Sequence, residues 1–504
     1  TGPRLPLGFV PPPPLPQVMR MNNPLMKPSD ETAFRRRSRS KKGGQRDSGF
    51  SAFTKALKGN SVNAESRKAI QEGARWHVAR LTMPQYRARL SKVRRTISDL
   101  VRVQVRTPQV RELLLQELTL ALAELLESSK FKISDINDQS IVVEITRSDR
   151  NGKDKTTSFK GRTLEALRAQ KGTAEAVRLY ERYANRAVFK GLGGLQNFHV
   201  RLNVAYLLSE FVVKRGDVNK GIPDARYTPA SSTLCDVVDD PLQLDAIKVV
   251  AVRGLVRIMQ TGQPRAKFDL RLRVAECLIR QLGRPFQSSV ARQKMESQLQ
   301  HIWYQEVLAE SLAAIGIRED NQNQPIVEKA LVSILVDSQR HFLARTAAGK
   351  ALGRANLGSF DNELRSYELA VLASQMSDAY NKAPAAGYWN RCFQQLYFAF
   401  KAVNKDEKAS GGRPAGLLGQ FPSARLQDAY RQIVPLVAHV IVQPEEVDGK
   451  ISYRPIPSET LKPLADWMSR SRPANYQPPG GTRPVSEQPA EEKPAPVVAP
   501  GSSK

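Results

Sequence analysis

The chain has 504 residues, with 77 lysines and arginines against 49 aspartates and glutamates, a formal charge of +28. That surplus speaks against a neutral, self-contained metabolic enzyme and for an anionic partner or surface. Cys235, Cys277 and Cys392 stand far apart with no CxxC pair, which excludes a disulfide scaffold and a zinc knuckle; the apolar stretches 113–126 and 433–442 are shorter than the roughly 20 residues of a bilayer span.

Residues 1–60 read as a disordered proline-rich and basic arm. The run Pro11 to Pro14 and its proline neighbours favour extended polyproline conformations and cannot form a packed core. Residues 1–106 hold 23 basic and 6 acidic side chains, so they carry +17 of the +28. The densest run, Arg35, Arg36, Arg37, Arg39, Lys41 and Lys42, binds polyphosphate by counterion release without needing a fold, although a solvated tail of this composition needs no partner.

Residues 61–130 read as basic amphipathic helices. Ile70, Ala74, Val78 and Leu81 recur at helical spacing, and after Pro84 the stripe repeats at Tyr86, Leu90, Val93, Ile97 and Leu100. Arg87, Arg89, Lys92, Arg94 and Arg95 fall off that stripe, so one face packs while the other stays cationic. Arg75, Arg87, Arg89, Arg94 and Arg95, with Arg35, Arg36, Arg37, Arg39, Lys41 and Lys42 of the arm, are the candidate anion-binding residues. Trp76 reads first as core and second as a base-stacking aromatic. A third helix opens at Pro108 and is apolar from Leu113 to Leu126.

Over 131–161 the period changes to two. Ile141, Val143 and Ile145 alternate with their neighbours, and Asn151-Gly152 turns the chain toward Thr156 to Phe159, which predicts a small β-hairpin insertion, either a structural flap or a recognition finger.

Residues 162–442 read as helices with turns between them, and no strands are expected there. Five segments share small residues inside an apolar stripe, around Ala205, Ala251, Ala275, Ala309 and Ala348. Small residues at this spacing let helices approach closely. Ala205, Ala275, Ala309 and Ala348 count as equivalent positions of successive units, with the helix of Ala251 as the first partner of the helix of Ala275. With Arg201, Arg271 and Arg345 near an arginine position and Leu282-Gly283, Ile315-Gly316 and Leu352-Gly353 closing helices, residues 173–404 resemble the HEAT family of helical repeats. The segment 214–240 is read as a loop interrupting the array. The resemblance implies an α-solenoid with a concave binding surface, used mostly as a scaffold, and no chemistry of its own. Arg201, Arg271, Arg273 and Arg345 are then candidates for the solenoid surface. Residues 443–504 read as a C-terminal extension ending in a second proline-rich disordered tail.

Catalytic motifs are missing. The five histidines are scattered without an HExxH or a Cys/His cluster, and Gly349-Lys350 lacks the following Ser/Thr of a P-loop. Gly191, Gly193 and Gly194 suit a helix cap and tight turn, with no preceding strand for a dinucleotide site. No metal, cofactor or catalytic residue is expected.

The first functional expectation is a mainly α, non-catalytic HEAT-like scaffold or adaptor that binds a protein partner through the solenoid surface, with the basic third engaging anionic partners. The second is a nucleic-acid-binding protein. A third borrows from HEAT-like alkyl-base DNA glycosylases, with Trp303 and Trp389 as candidates that lack a placed carboxylate. Threonine at position 1 and the proline-rich flanks lean toward export and the cell envelope, against a cytoplasmic alternative suggested by the arginine cluster.

Overall fold

The computed structural model describes residues 34–35, 38–39, 45–46, 48–103, 105–126, 131–136, 140–148, 154–162, 198–240, 243–284, 298–357, 360–401, 416–442, 445–447, 450–474 and 476. The proline-rich ends, Arg36, Arg37, Lys41, Lys42, the Asn151-Gly152 turn and Gly191, Gly193 and Gly194 lie outside the described residues. The described residues are mainly α-helical.

The arm is shorter than its composition suggests, because Gly49–Leu57 forms helix α1. Ser48 caps it by accepting from the Ser51 N–H at 3.1 Å. Phe53 and Leu57, one turn apart, are buried and supply the apolar face that a charge-based reading overlooks. Helix α2 (Ala64–Ala79) starts from an Asn63/Ser66 capping box. The two helices cross tightly at Gly73, where a Cβ would come within 2.1 Å of the Phe53 ring. A 3₁₀ turn (Pro84–Arg89) leads into α3 (Leu90–Val103), and α4 (Pro108–Leu126) follows.

Strands β1 (Ser38–Arg39) and β2 (Gln45–Arg46) pair antiparallel. Strands β3 (Phe131–Ile136), β4 (Ser140–Ser148) and β5 (Asp154–Arg162) form an antiparallel sheet in that order, with Ile141 opposite Gly161 and Thr146 opposite Thr156. The strand at Phe131 is not apparent in the alternation, because the register shifts between Ile133 and Asp135.

Helices α5 (Phe198–Glu210), α6 (Ala230–Asp239), α7 (Asp245–Thr261), α8 (Phe268–Gly283), α9 (Gln298–Ala314), α10 (Ile326–Val336), α11 (Phe342–Arg354), α12 (Asn362–Lys382) and α13 (Trp389–Phe400) follow in order. A short α14 (Leu417–Gln420), then α15 (Ala424–Val442) and α16 (Ser458–Ser471), complete them. Contacts sort these helices into two rows. In one row α5, α7, α9, α11, α13 and α15 each touch the next; in the other α6, α8, α10, α12 and α16 do the same, and α6 packs on α7, α8 on α9 and α10 on α11. Helix α4 continues the first row toward α2 and α1.

Three expectations are corrected by this arrangement. The segment 214–240 is not all loop, since Ala230–Asp239 is α6, a member of the second row with Leu234, Cys235, Val237 and Val238 buried. Ala251 belongs with Ala205, Ala309 and Ala348 in the first row, while Ala275 lies in the second, and α7 packs far more on α6 than on α8. Short strands also occur within 162–442, where β6 (Val212–Lys214), β7 (Ala225–Tyr227) and β8 (Gly262–Gln263) form one small sheet; beyond it, in the C-terminal extension, β9 (Glu445–Val447) pairs with β10 (Lys450–Ser452). Strands of two or three residues are too short to show a readable alternation.

Arginine side chains fasten the ends of these helices. Arg271 on α8 donates to Met259 O near the end of α7 at 2.6 Å and to Ile315 O just beyond α9 at 2.7 Å. Arg345 on α11 donates to Leu335 O at the end of α10 at 2.9 Å and to Gln375 Oε1 at 2.7 Å. Arg340 reaches Gly283 O at the end of α8, and Arg425 reaches Ser471 O at the end of α16. Each places a cation where unpaired carbonyls and the helix dipole are negative. Two of the residues expected to be exposed are buried instead: Arg201 is 2% and Arg345 3% exposed. Arg201 donates to Gln243 Oε1 at 2.7 Å. Burial pulls both guanidinium groups down to about 10, against the favourable pull of Asp240 on Arg201 and of Asp337 on Arg345, so both stay charged at neutral pH. Arg271 is half-buried and held by its three carbonyls. Only Arg273 faces solvent, 3.6 Å from Asp236.

Candidate functional site

The basic helix α3 is oriented by its own apolar line. Leu90, Val93, Ile97 and Leu100 turn into the core, which leaves Arg89, Lys92 and Arg95 exposed, with Asp99 as the acidic side chain among them. Arg94 leans the other way and lies over the Tyr206 ring of α5, 5.0 Å from its centroid. Arg87 lies in the 3₁₀ turn before the helix.

Among the described residues, Arg35, Arg39 and Arg75 lie on other elements. Trp76 is buried on α2, stacked on Phe34 with ring centroids 5.1 Å apart, with Arg35 and Arg80 over its ring at 5.1 and 5.0 Å. Phe34 fits because of Gly49, where a Cβ would meet its ring at 2.6 Å. Trp76 is thus core, and Phe34 and Arg35 tie the start of the basic run to α2. Arg75 is exposed on α2, and Arg39 falls in β1. His77, beside Trp76, is pushed down to about 3 by burial first and by Arg80 and Arg35 next, so it is neutral at pH 7.

A second group of cations is assembled only by the fold. Arg102, at the end of α3, lies 3.8 Å from Asp224. Arg226 on β7 donates to Glu210 O, the last residue of α5, at 2.9 Å. Burial lowers the Arg226 pKa and Arg257 and Arg102 lower it further, while Asp224 and Glu210 oppose them, so the charges of Arg257 and Arg102 act on Arg226. One turn before Arg257 on α7, Arg253 lies over the Trp303 ring of α9 at 5.7 Å. The sequence signal for this group is limited to the Arg253/Arg257 pair four residues apart, set off the buried line of α7.

Buried polar groups elsewhere act as struts. Asp245 on α7 and His301 on α9 meet at 3.2 Å, with Arg284 3.4 Å from the other carboxylate oxygen. An Asp/His pair is the chemistry of an acid/base dyad, but both side chains are buried and link adjacent helices. The Tyr304 hydroxyl is held neutral by burial and by Asp245. Glu306 on α9 accepts from Gln395 Nε2 at 3.1 Å and pairs with Arg391 at 2.7 Å, while Thr346 donates to Gln395 at 2.6 Å, so α9, α11 and α13 are joined in the same way. Burial raises the Glu306 pKa against the opposing Arg391.

The motif fragments have structural uses. Lys350 lies within α11 and pairs with Glu310 at 2.6 Å. Trp389 is buried and donates its indole N–H to Ala383 O at 2.8 Å, whereas Trp303 is 37% exposed. The three thiols are buried; the contact with Cys235 and then burial raise the pKa of Cys277, and burial raises that of Cys392. Among the described residues no group of three or more His, Cys, Asp and Glu could hold a metal ion, and no helix is long and apolar enough to cross a membrane.

Compared with models of protein families and with curated proteins, the chain matches none.

Proposed function

We propose that the chain is a non-catalytic, HEAT-like α-solenoid scaffold that binds a macromolecular partner along its helical surface, with a basic N-terminal third that engages anionic partners. The observation that carries this reading is the alternation of α5 to α13 between two rows, each helix touching the next of its own row. That is the contact pattern of stacked helix pairs, whose length offers an extended binding surface. The arginine clamps and buried struts make the surface rigid, which lowers the ordering cost of binding.

The test is capture on the full chain from cells of origin followed by chemical cross-linking. The scaffold reading expects partner cross-links along the 198–442 helices. Cross-links confined to 1–47, or recovery of neither protein nor nucleic acid, would refute it. A nucleic-acid partner is favoured by the exposed Arg89 of the preceding turn and Lys92 and Arg95 of α3.

A further inference from the structure

Five elements, α3, α5, β7, α7 and α9, bring cations and aromatics together. On α3, Arg94 and Arg102 lie on one i, i+4, i+8 line, and Arg94 touches Tyr206, which sits one turn before Glu210 on α5. Glu210 in turn carries Arg226 on its carbonyl, and Arg226 neighbours Arg102 and Arg257. Helix α7 lies hard against α5, since a Cβ on Gly254 would come within 2.4 Å of Ser209 Cβ. Arg253 and Arg257 flank that crossing and are exposed. Arg253 then leads to Trp303 on α9, with Leu299 63% exposed one turn before it. The acidic groups that act on Arg226 are Asp224 and Glu210, against the guanidinium groups of Arg257 and Arg102.

We propose that this region binds single-stranded nucleic acid, with Arg102, Arg226, Arg253 and Arg257 taking phosphates and Trp303, with Leu299, serving as a platform for a base. A membrane surface or an acidic peptide would satisfy the cations, but a half-open indole with a guanidinium over its ring, beside a second exposed arginine, is what an unstacked base requires. A duplex hides its base faces and would use the cations alone. The proposal rests on the reading of the basic region as a binder of anionic partners, and it moves the specificity from the arm to the helices.

The structure also supplies the probe. Of the four tryptophans, Trp76, Trp389 and Trp467 are buried, so base stacking at Trp303 should dominate any quenching of intrinsic fluorescence. The experiment titrates the full chain with a 12-nucleotide oligo-uridine or oligo-thymidine, the matching duplex, and phosphatidylserine vesicles. Saturable quenching by the single strand is expected. Trp303→Leu should abolish the quenching and weaken binding roughly 5- to 100-fold while leaving the salt dependence intact. Arg253→Gln with Arg257→Gln should make the salt slope shallower by about 1.4, from two phosphate contacts at about 0.7 each. Helix content by circular dichroism should be unchanged in both variants, because all three side chains are exposed. Full affinity and quenching in Trp303→Leu would overturn the proposal, as would equal binding of the duplex or competition by the vesicles at equal charge. In none of those cases would cross-linking of a partner along the 198–442 helices be affected, so the scaffold reading stands or falls separately.

Discussion

Gly349 and Gly353 sit one turn apart on α11, and the same substitution at each should have opposite effects. In a helix interior, alanine is favoured over glycine by about 1 kcal/mol, so the environment of the new methyl decides the sign. At Gly349 a Cβ would meet Leu335 Cδ1 at 3.3 Å, Leu369 Cδ2 at 3.5 Å and Ala399 Cβ at 3.8 Å. The nearest two are tips of flexible side chains, which yield by a few tenths of an ångström. At Gly353 the Cβ would fall 2.2 Å from Ala399 O and 2.9 Å from Ala399 C, backbone atoms of α13 that move only if the helix moves. The Leu352-Gly353 pair suggests a helix end, but α11 continues through Arg354, so the job of Gly353 is to admit the α13 backbone. Gly349→Ala should stabilise by up to about 1 kcal/mol, and Gly353→Ala should destabilise by about 1 to 3 kcal/mol through overpacking. Urea denaturation followed by far-UV circular dichroism measures both; with slopes of about 1–3 kcal/mol per molar, the midpoints should move apart by roughly 1 M. Midpoints that shift in the same direction would refute the assignment of the α11–α13 crossing to Gly353.

His77 should make the fold acid-sensitive. Its ordinary value of 6.5 falls to about 3 in the folded chain, so below pH 6.5 the unfolded chain takes up a proton that the folded chain refuses. Stability is therefore lost as pH falls from 6.5 toward 3, by about 3 kcal/mol at pH 4.5, and His77→Leu should flatten that part of the urea midpoint against pH; an unchanged profile in the variant would refute the cause. Arg345→Met should destabilise by about 1 to 3 kcal/mol because Leu335 O and Gln375 lose their donor. Arg273→Gln, at an exposed pair, should stay within about 0.5 kcal/mol, and equal losses at the two positions in denaturation would contradict their different burial. Replacing Arg89, Lys92 and Arg95 with Gln should leave helix content unchanged and lower the salt slope of polyanion binding by about 0.7 to 0.9 for each phosphate that is no longer neutralised; an unaltered slope would show that α3 touches no phosphate.

Helices are legible where apolar residues recur at three and four. The line Leu90, Val93, Ile97 and Leu100 is buried as its spacing implies, as are Leu113, Leu114, Leu118, Ala121, Leu122, Leu125 and Leu126. The row of each helix is not legible, for a physical reason. A small residue marks any close helix crossing, and Ala275 in one row is as completely buried as Ala309 in the other. Helix α6 escapes notice because Ser231, Ser232, Thr233 and Asp236 dilute its apolar face, although Leu234, Cys235, Val237 and Val238 are buried. The second cation group is hidden differently: Arg102, Arg226 and Arg257 come from α3, β7 and α7, and only tertiary packing brings them together.

Charge misleads most where it is read as a property of the surface. Arginine is usually exposed, so Arg201, Arg271 and Arg345 read as a binding face. In a stack of short helices, every helix end leaves carbonyls without intrahelical partners, and a fold with many ends needs many donors. A planar guanidinium can serve two or three such carbonyls at once and remains charged when buried, which a lysine ammonium does poorly. Arg111, Arg226, Arg271, Arg340, Arg345 and Arg425 all donate to backbone carbonyls away from their own helix turn. Part of the +28 is therefore a consequence of the helical architecture. Among the cations the fold leaves facing solvent are Arg89, Lys92 and Arg95 on α3 and its preceding turn and Arg253 and Arg257 on α7, to which polyanion contacts are proposed above. Since these five belong to packed elements rather than to the arm, their spacing is fixed before any polyanion arrives, and a fixed spacing discriminates between partners where a tail of the same charge cannot.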